Sequence, residues 1–162
     1  DLYQQCLEIA QRSWQGASQD GTTLTHESIA SFLRDVHQAA ATAGAIDMNL
    51  LYVNDRPIAF AYGYCCSGSV DGLRVGMLPE FSKTGAGNLL YARIIQDSCE
   101  RGDRYYDLGA GSFAAKRHLR TSIVPLYRIG HYPLLPVRGQ LLRLKRMLEH
   151  SETVTMEDAV AV

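Results

Sequence analysis

Apolar residues recur along the first forty positions with the period of a helix and then change to the alternation of a strand. Leu2, Cys6, Ile9 and Ser13 fall at helical spacing with Gly16 behind them, which predicts a helix over 2–15 and a polar loop over 16–25. A clearer stripe follows: Ile29, Phe32, Leu33, Val36 and Ala40 share one helical face, with Glu27 in the first turn and Gly44 as the stop. His37 lies beside this stripe and reads as a boundary residue, since no partner stands at metal-ligand spacing. From Ile46 the period is two. Three β-rich stretches, 46–53, 57–66 and 70–78, are separated by Asn54-Asp55-Arg56 and Ser67-Gly68-Ser69, which predicts an antiparallel meander. In the middle stretch Ile58, Phe60, Tyr62 and Tyr64 alternate with Ala59, Ala61, Gly63 and Cys65, giving one bulky face and one small face that suits a closely packed helix or a ligand.

Helical spacing returns after the glycine-rich run at 83–88. Leu89, Leu90, Ile94, Ile95 and Cys99 are expected to point inward, and Arg93, Gln96, Asp97 and Glu100 outward, with Gly102 as the stop. A short aromatic strand over 104–108 runs into Gly109-Ala110-Gly111. A short helix over 113–120, a strand over 122–132 and an amphipathic helix over 139–149 complete the pattern, and 151–162 reads as a mobile tail. One domain over 1–150 is expected.

Composition fits that picture: 46% of residues are apolar or aromatic and 20% charged, which excludes a disordered or collagen-like chain. No apolar run is long enough to span a membrane. Cys6, Cys65, Cys66 and Cys99 form neither a C-x-x-C pair nor a disulfide framework, so reduced, mostly buried thiols of a cytoplasmic protein are expected. Net charge is −1 but unevenly spread. Residues 101–150 hold 10 basic and 3 acidic groups, a net +7 that could seat an anionic ligand or simply face solvent.

Two segments carry candidate chemistry. In Lys83-Thr84-Gly85-Ala86-Gly87-Asn88 the glycines remove side chains where the backbone turns into a helix, so free N–H groups can face a phosphate or pyrophosphate. The spacing is neither that of a Walker loop nor a dinucleotide fingerprint. In the second segment Asp107 ends a strand that reads as buried, ahead of a glycine turn and Lys116. A carboxylate there needs a partner, and the pair reads either as the tie of the glycine turn or as a base or anchor with an anion-facing cation. No G-x-S-x-G elbow is present, and no metal set can be assembled around His118 or His131.

Taken together, the order of elements and these motifs resemble the GNAT acyltransferase superfamily. The run Gly87-Asn88-Leu89-Leu90, then Arg101-Gly102, Asp107-Leu108-Gly109-Ala110-Gly111 and Lys116-Arg117, with Ser13-Trp14 and Arg56-Pro57-Ile58-Ala59-Phe60 upstream, is similar to its CelD-type and Fem-type branch. The loop departs from the family pattern, with Ser82 at the first position and Gly85-Ala86-Gly87 where the branch has Ser-Pro-Gly.

The resemblance implies an α/β (α+β) fold with a mixed, largely antiparallel splayed sheet flanked by helices. It implies acetyl-CoA or another acyl-CoA as co-substrate and no metal. The donor's pyrophosphate would lie at Lys83, Thr84, Gly85, Ala86, Gly87 and Asn88, and its pantetheine beside Arg74, Val75, Gly76, Met77 and Leu78. Asp107 and Lys116 would face the acceptor or the donor phosphates, with Glu80 as a further candidate base. The acceptor would be an amine or hydroxyl of a small molecule or cell-envelope precursor. Alternatives are an aminoacyl-tRNA-dependent transferase of the Fem type, which no aromatic-interleaved basic patch favours, and a non-catalytic scaffold. The branch commonly carries an upstream GNAT-like module, which the absence of a methionine before Asp1 fits.

Overall fold

Three long strands pair in chain order, β1 (Ile46–Val53), β2 (Arg56–Cys66) and β3 (Ser69–Met77), joined by two-residue turns in which Asn54, Asp55, Ser67 and Gly68 all have positive φ. Such turns match the twist of a hairpin, so β2 begins at Arg56, one residue before the sequence reading. A short fourth strand, β4 (Tyr105–Asp107), lies parallel to the start of β3, giving the order β1-β2-β3-β4. The expected mixed, mostly antiparallel sheet is therefore present. This computed structural model describes residues 2–18, 23–109, 113–125, 131–132 and 137–149. The chain divides into two compact units, Asp1–Gly111 and Ser112–Val162.

In the first unit helices cover both faces of the sheet. Tyr3 of α1 (Leu2–Arg12) stacks on His37 of α3 (Glu27–Thr42) at 4.0 Å, and both rings abut Tyr62. These helices therefore close the bulky face, where Ile58, Phe60 and Tyr62 are buried at roughly 2 kcal/mol each. α4 (Ala86–Arg101) packs on β1 and β2. Gly87 lies against Met77, which pairs with Ala59, and Arg101 reaches Asp47, which pairs with Gly63, so α4 takes the small face. The close-packing reading of that face is the one observed.

Several expectations are corrected. The first helix breaks at Ser13, whose hydroxyl accepts from the Gln15 N–H and donates to the Ala10 carbonyl, starting a separate turn, α2 (Trp14–Ala17). Phe32 is 65% exposed, because only the Ile29–Leu33 side of its helix meets the core. On α4 Ser98 faces inward beside Leu90 and Ile94, whereas Leu89 and Cys99 face solvent. Only Cys6 is a fully buried thiol, and burial pushes it up to about 12. Tyr105 and Asp107 are exposed, so β4 is not a buried strand. In the second unit α5 (Phe113–Lys116) is shorter than expected and α6 (Val137–Glu149) starts earlier. Residues 122–125 are not a strand, and 126–130 and the tail 151–162 lie outside the described residues.

Candidate functional site

The backbone of β3 has two edges with different fates. The Leu78 N–H donates to the Ile58 carbonyl at 2.9 Å, and the antiparallel register then makes Gly76 and Arg74 the residues bonded to β2. Val75 and Met77 consequently turn their N–H and C=O groups to the opposite edge. β4 accompanies that edge only over residues 69–71. Just past that point the two backbones meet at a contact that tolerates no side chain: a Cβ on Gly72 would lie 2.6 Å from the Asp107 carbonyl oxygen, and one on Gly109 2.5 Å from that of Gly72. Gly109 has φ +76°, and its N–H is held by Asp107 Oδ1 at 2.7 Å. Among the described residues, no strand pairs with the edge of β3 beyond Gly72.

That edge leads directly into the glycine loop. After Leu78 the chain makes a 3-10 turn, Pro79–Phe81, and Thr84 Oγ1 donates to the Phe81 carbonyl at 2.8 Å and accepts from the Ala86 N–H at 3.3 Å. Gly85, with φ +80°, turns the chain into α4. The N–H groups of Gly87 and Asn88 have no intrahelical acceptor this early in the helix, and neither residue hides them behind a bulky side chain. They carry the positive end of a 16-residue helix, suited to an anion. Lys83 is exposed on the same loop. One strand edge and one loop thus present N–H groups in series.

The other expected residues have separate surroundings. Glu80 bonds Arg56 at 2.6 Å and faces Arg12 at 3.7 Å; its own backbone N–H, then Arg56, hold its carboxyl below the usual range. That tie fixes the 3-10 turn to β2 and lowers the group's basicity. Arg74 donates to the Leu73 carbonyl, at the bulge that interrupts the β2–β3 register. Asp107 closes the glycine turn and is exposed; Lys116 belongs to the second unit.

Two features were not anticipated. Gln15, 1% exposed, donates from Nε2 to the Val75 carbonyl at 3.1 Å and accepts the Leu24 N–H at 3.2 Å. Only the serine before Trp14 hints at the helix break that turns it inward. At the closed end of the sheet Arg101 joins Asp47 and Asp103, and an aspartate between Ile46 and Met48 was the available signal. Among the described residues no three His, Cys, Asp or Glu converge as a metal-binding group, and no helix is long and apolar enough to cross a membrane.

Comparison with known proteins bears on the fold and the family. The acetyltransferase (GNAT) domain family matches residues 1–117. No curated protein matches the chain. Among solved structures, aminoglycoside acetyltransferase AAC(6')-Iy in complex with the bisubstrate analogue CoA-S-monomethyl-acetylneamine is 18% identical, with 79% of this chain and 91% of that chain covered and a TM-score of 0.51. Aminoglycoside 6'-N-acetyltransferase AAC(6')-IG from Acinetobacter haemolyticus is 15% identical, with 80% and 92% covered and a TM-score of 0.51. The ribosomal-protein-S18-alanine N-acetyltransferase from Escherichia coli is 17% identical, with 62% of this chain and 55% of that chain covered and a TM-score of 0.46, so the match spans about half that enzyme's length. The two aminoglycoside enzymes share the fold, and the family match runs from α1 to the end of α5: the chain belongs to the GNAT acetyltransferase family.

Proposed function

We propose that the chain binds acetyl-CoA, or another acyl-CoA, along the open edge of β3 and transfers the acyl group to an amine or hydroxyl. The observation that carries this reading is the continuity of the edge at Val75 and Met77 with the N–H groups of Gly87 and Asn88. The amides of a pantetheine arm can pair with a strand edge as another strand does, and the pyrophosphate then reaches the helix start. Thr84 and Gly85 shape the turn, Ala86 begins the helix, and Lys83 adds a cation beside it. The thioester carbon lies in the splay. The acceptor's lone pair attacks it, a C–N or C–O bond forms and the C–S bond breaks. The departing thiolate takes a proton as the acceptor loses one. Asp107 at the mouth of the splay is the candidate to receive the acceptor's proton, Lys116 a candidate anion contact, and Glu80 a tie for the loop rather than a base. The sequence motif Asp107-x-Gly109-x-Gly111 supports a CelD-type acceptor, a small molecule or envelope precursor met in the cytoplasm, with an upstream module in the whole protein.

Calorimetric titration with acetyl-CoA tests the donor site. A Cβ at Gly87 would meet only the Met77 methyl, at an ordinary 3.8 Å, so Gly87→Ala and Gly87→Asp both fit, and the aspartate favours the helix start. Gly87→Asp is expected to weaken acetyl-CoA binding at least about tenfold, about 1.4 kcal/mol, by facing the pyrophosphate with a carboxylate, while its melting temperature holds. Equal affinity in wild type and Gly87→Asp, or no acyl-CoA binding by wild type, defeats the assignment.

A further inference from the structure

Gln15 lies on a four-residue turn of helix, remote in sequence from β3, and its buried amide spans two segments. A primary amide in a dry interior is costly unless both ends are bonded, and here both are, to Val75 and Leu24. Ser13 sets the orientation. By ending α1 and capping the Gln15 N–H, it starts a new turn in which Gln15 is buried while Trp14 stays exposed. Val75 is one of the two residues whose backbone groups face the edge that no strand pairs with, so the amide takes one acceptor on that line. Among the described residues, nothing bonds the Val75 N–H or the Met77 N–H and C=O on that edge. The Leu24 end matters equally: Thr23 and Leu24 are buried, and the His26 N–H returns to the Thr23 carbonyl at 3.3 Å before α3 begins.

We propose that Gln15 is a positioning residue for the acyl donor: by occupying the Val75 carbonyl it fixes the register in which the pantetheine arm pairs with β3, and through Leu24 it keeps the loop before α3 in step with that edge. This rests on the donor-site reading of β3. With the Val75 carbonyl taken, an incoming arm finds a donor at Val75 and a donor and acceptor at Met77, so a slip along the strand meets a carbonyl that is already occupied.

The test uses the full chain, with CoA titrated by calorimetry at about pH 8 and about pH 5.5 and a thermal melt of each variant. In Gln15→Glu the ionised carboxylate faces the Val75 carbonyl with no proton to donate, and CoA binding at the higher pH is expected to weaken at least about tenfold relative to wild type. On acidification the buried new carboxyl takes up a proton, regains the donor and the shape of the amide, and the ratio to wild type should return toward one. Gln15→Leu is expected to lose affinity equally at both pH values. A structural role alone lowers the melting temperature and leaves CoA affinity unchanged at each pH, which overturns the proposal. If neither variant folds, the wild-type side-chain amide signal of Gln15, followed by NMR during CoA titration, must shift; a stationary signal overturns the proposal as well. Wild type that binds no CoA defeats the donor-site reading and this inference together, whereas binding that is indifferent to Gln15 defeats this inference alone.

Discussion

A Cβ at Gly76 would stand 2.4 Å from Cε1 of Phe60, a ring with no solvent exposure. The family resemblance implies a donor-binding segment here, yet the glycine's packing reason is the cross-strand ring, which only the register brings opposite. Gly76→Ala is therefore expected to destabilise the fold by about 1–3 kcal/mol in chemical denaturation, through overpacking of the core. Adding Phe60→Leu should recover part of that loss, since the two residues touch and their effects are not additive. Recovery that fails to appear would place the strain elsewhere. Gly87 is the contrasting case, open to a side chain on steric grounds, so its substitution reads binding and Gly76 reads packing. Gln15 marks where residue-level reading stops. Glutamine beside an apolar stripe looks solvated until Ser13 ends the helix two residues earlier, and neither bond partner is near enough in sequence to signal the turn inward.

At the scale of elements, the meander was legible because strict alternation and turn residues fix both strand and register, and α4 because Gly85 and Gly102, both with positive φ, bracket it. Its exact face was not. Leu89 and Cys99 are apolar enough to seem internal, but the small face of β2 draws Ala86, Leu90, Ile94 and Ser98 against it, and Leu89 is left 52% exposed. The charge cluster at the helix end explains why Ser98 belongs inside: its hydroxyl bonds Asp103 at 2.8 Å, and Arg101 bonds Asp103 at 2.8 Å and Asp47 at 3.2 Å. Asp47 is buried, and among the described residues it keeps, without the guanidinium, the longer bonds from Tyr106 and Asn49, each 3.4 Å. Arg101→Met should cost about 2 kcal/mol, reduced from the usual value for a broken buried pair because the arginine is itself partly exposed. A thermal melt checks this. An unchanged melting temperature would mean that the network does not hold β1, α4 and β4 together at the closed end of the splay.

At the scale of the molecule, the depressed proton affinities of His37, Glu80 and Asp103 act in one direction on acidification. Burial lowers the proton affinity of His37, whose Nδ1 faces the Tyr62 hydroxyl at 3.1 Å while Tyr62 donates onward to Tyr64 and Tyr3 stacks on the ring. Because Tyr62 gives its proton to Tyr64, its oxygen accepts from Nδ1–H, a bond that the neutral and the charged ring make alike, so it is burial that favours the neutral imidazole. The folded protein thus binds fewer protons than the unfolded chain around the ordinary value of 6.5, so the stabilising contribution is complete above that pH and is lost as pH falls through the lower folded value. Glu80, lowered by its own backbone N–H and by Arg56, and Asp103, lowered by the Ser98 hydroxyl and then Arg101, behave likewise from ordinary values of 4.5 and 3.8. The melting temperature is therefore expected to lie on a plateau above neutrality, to begin falling below 6.5, and to fall again below 4.5. His37→Gln keeps an N–H for Tyr62 but cannot titrate, so calorimetric scans of this variant should lose the first decline and keep the second. If the first decline survives the substitution, the chain from Tyr3 through His37 to Tyr64 is not what couples the packing of α1 and α3 on the sheet to pH.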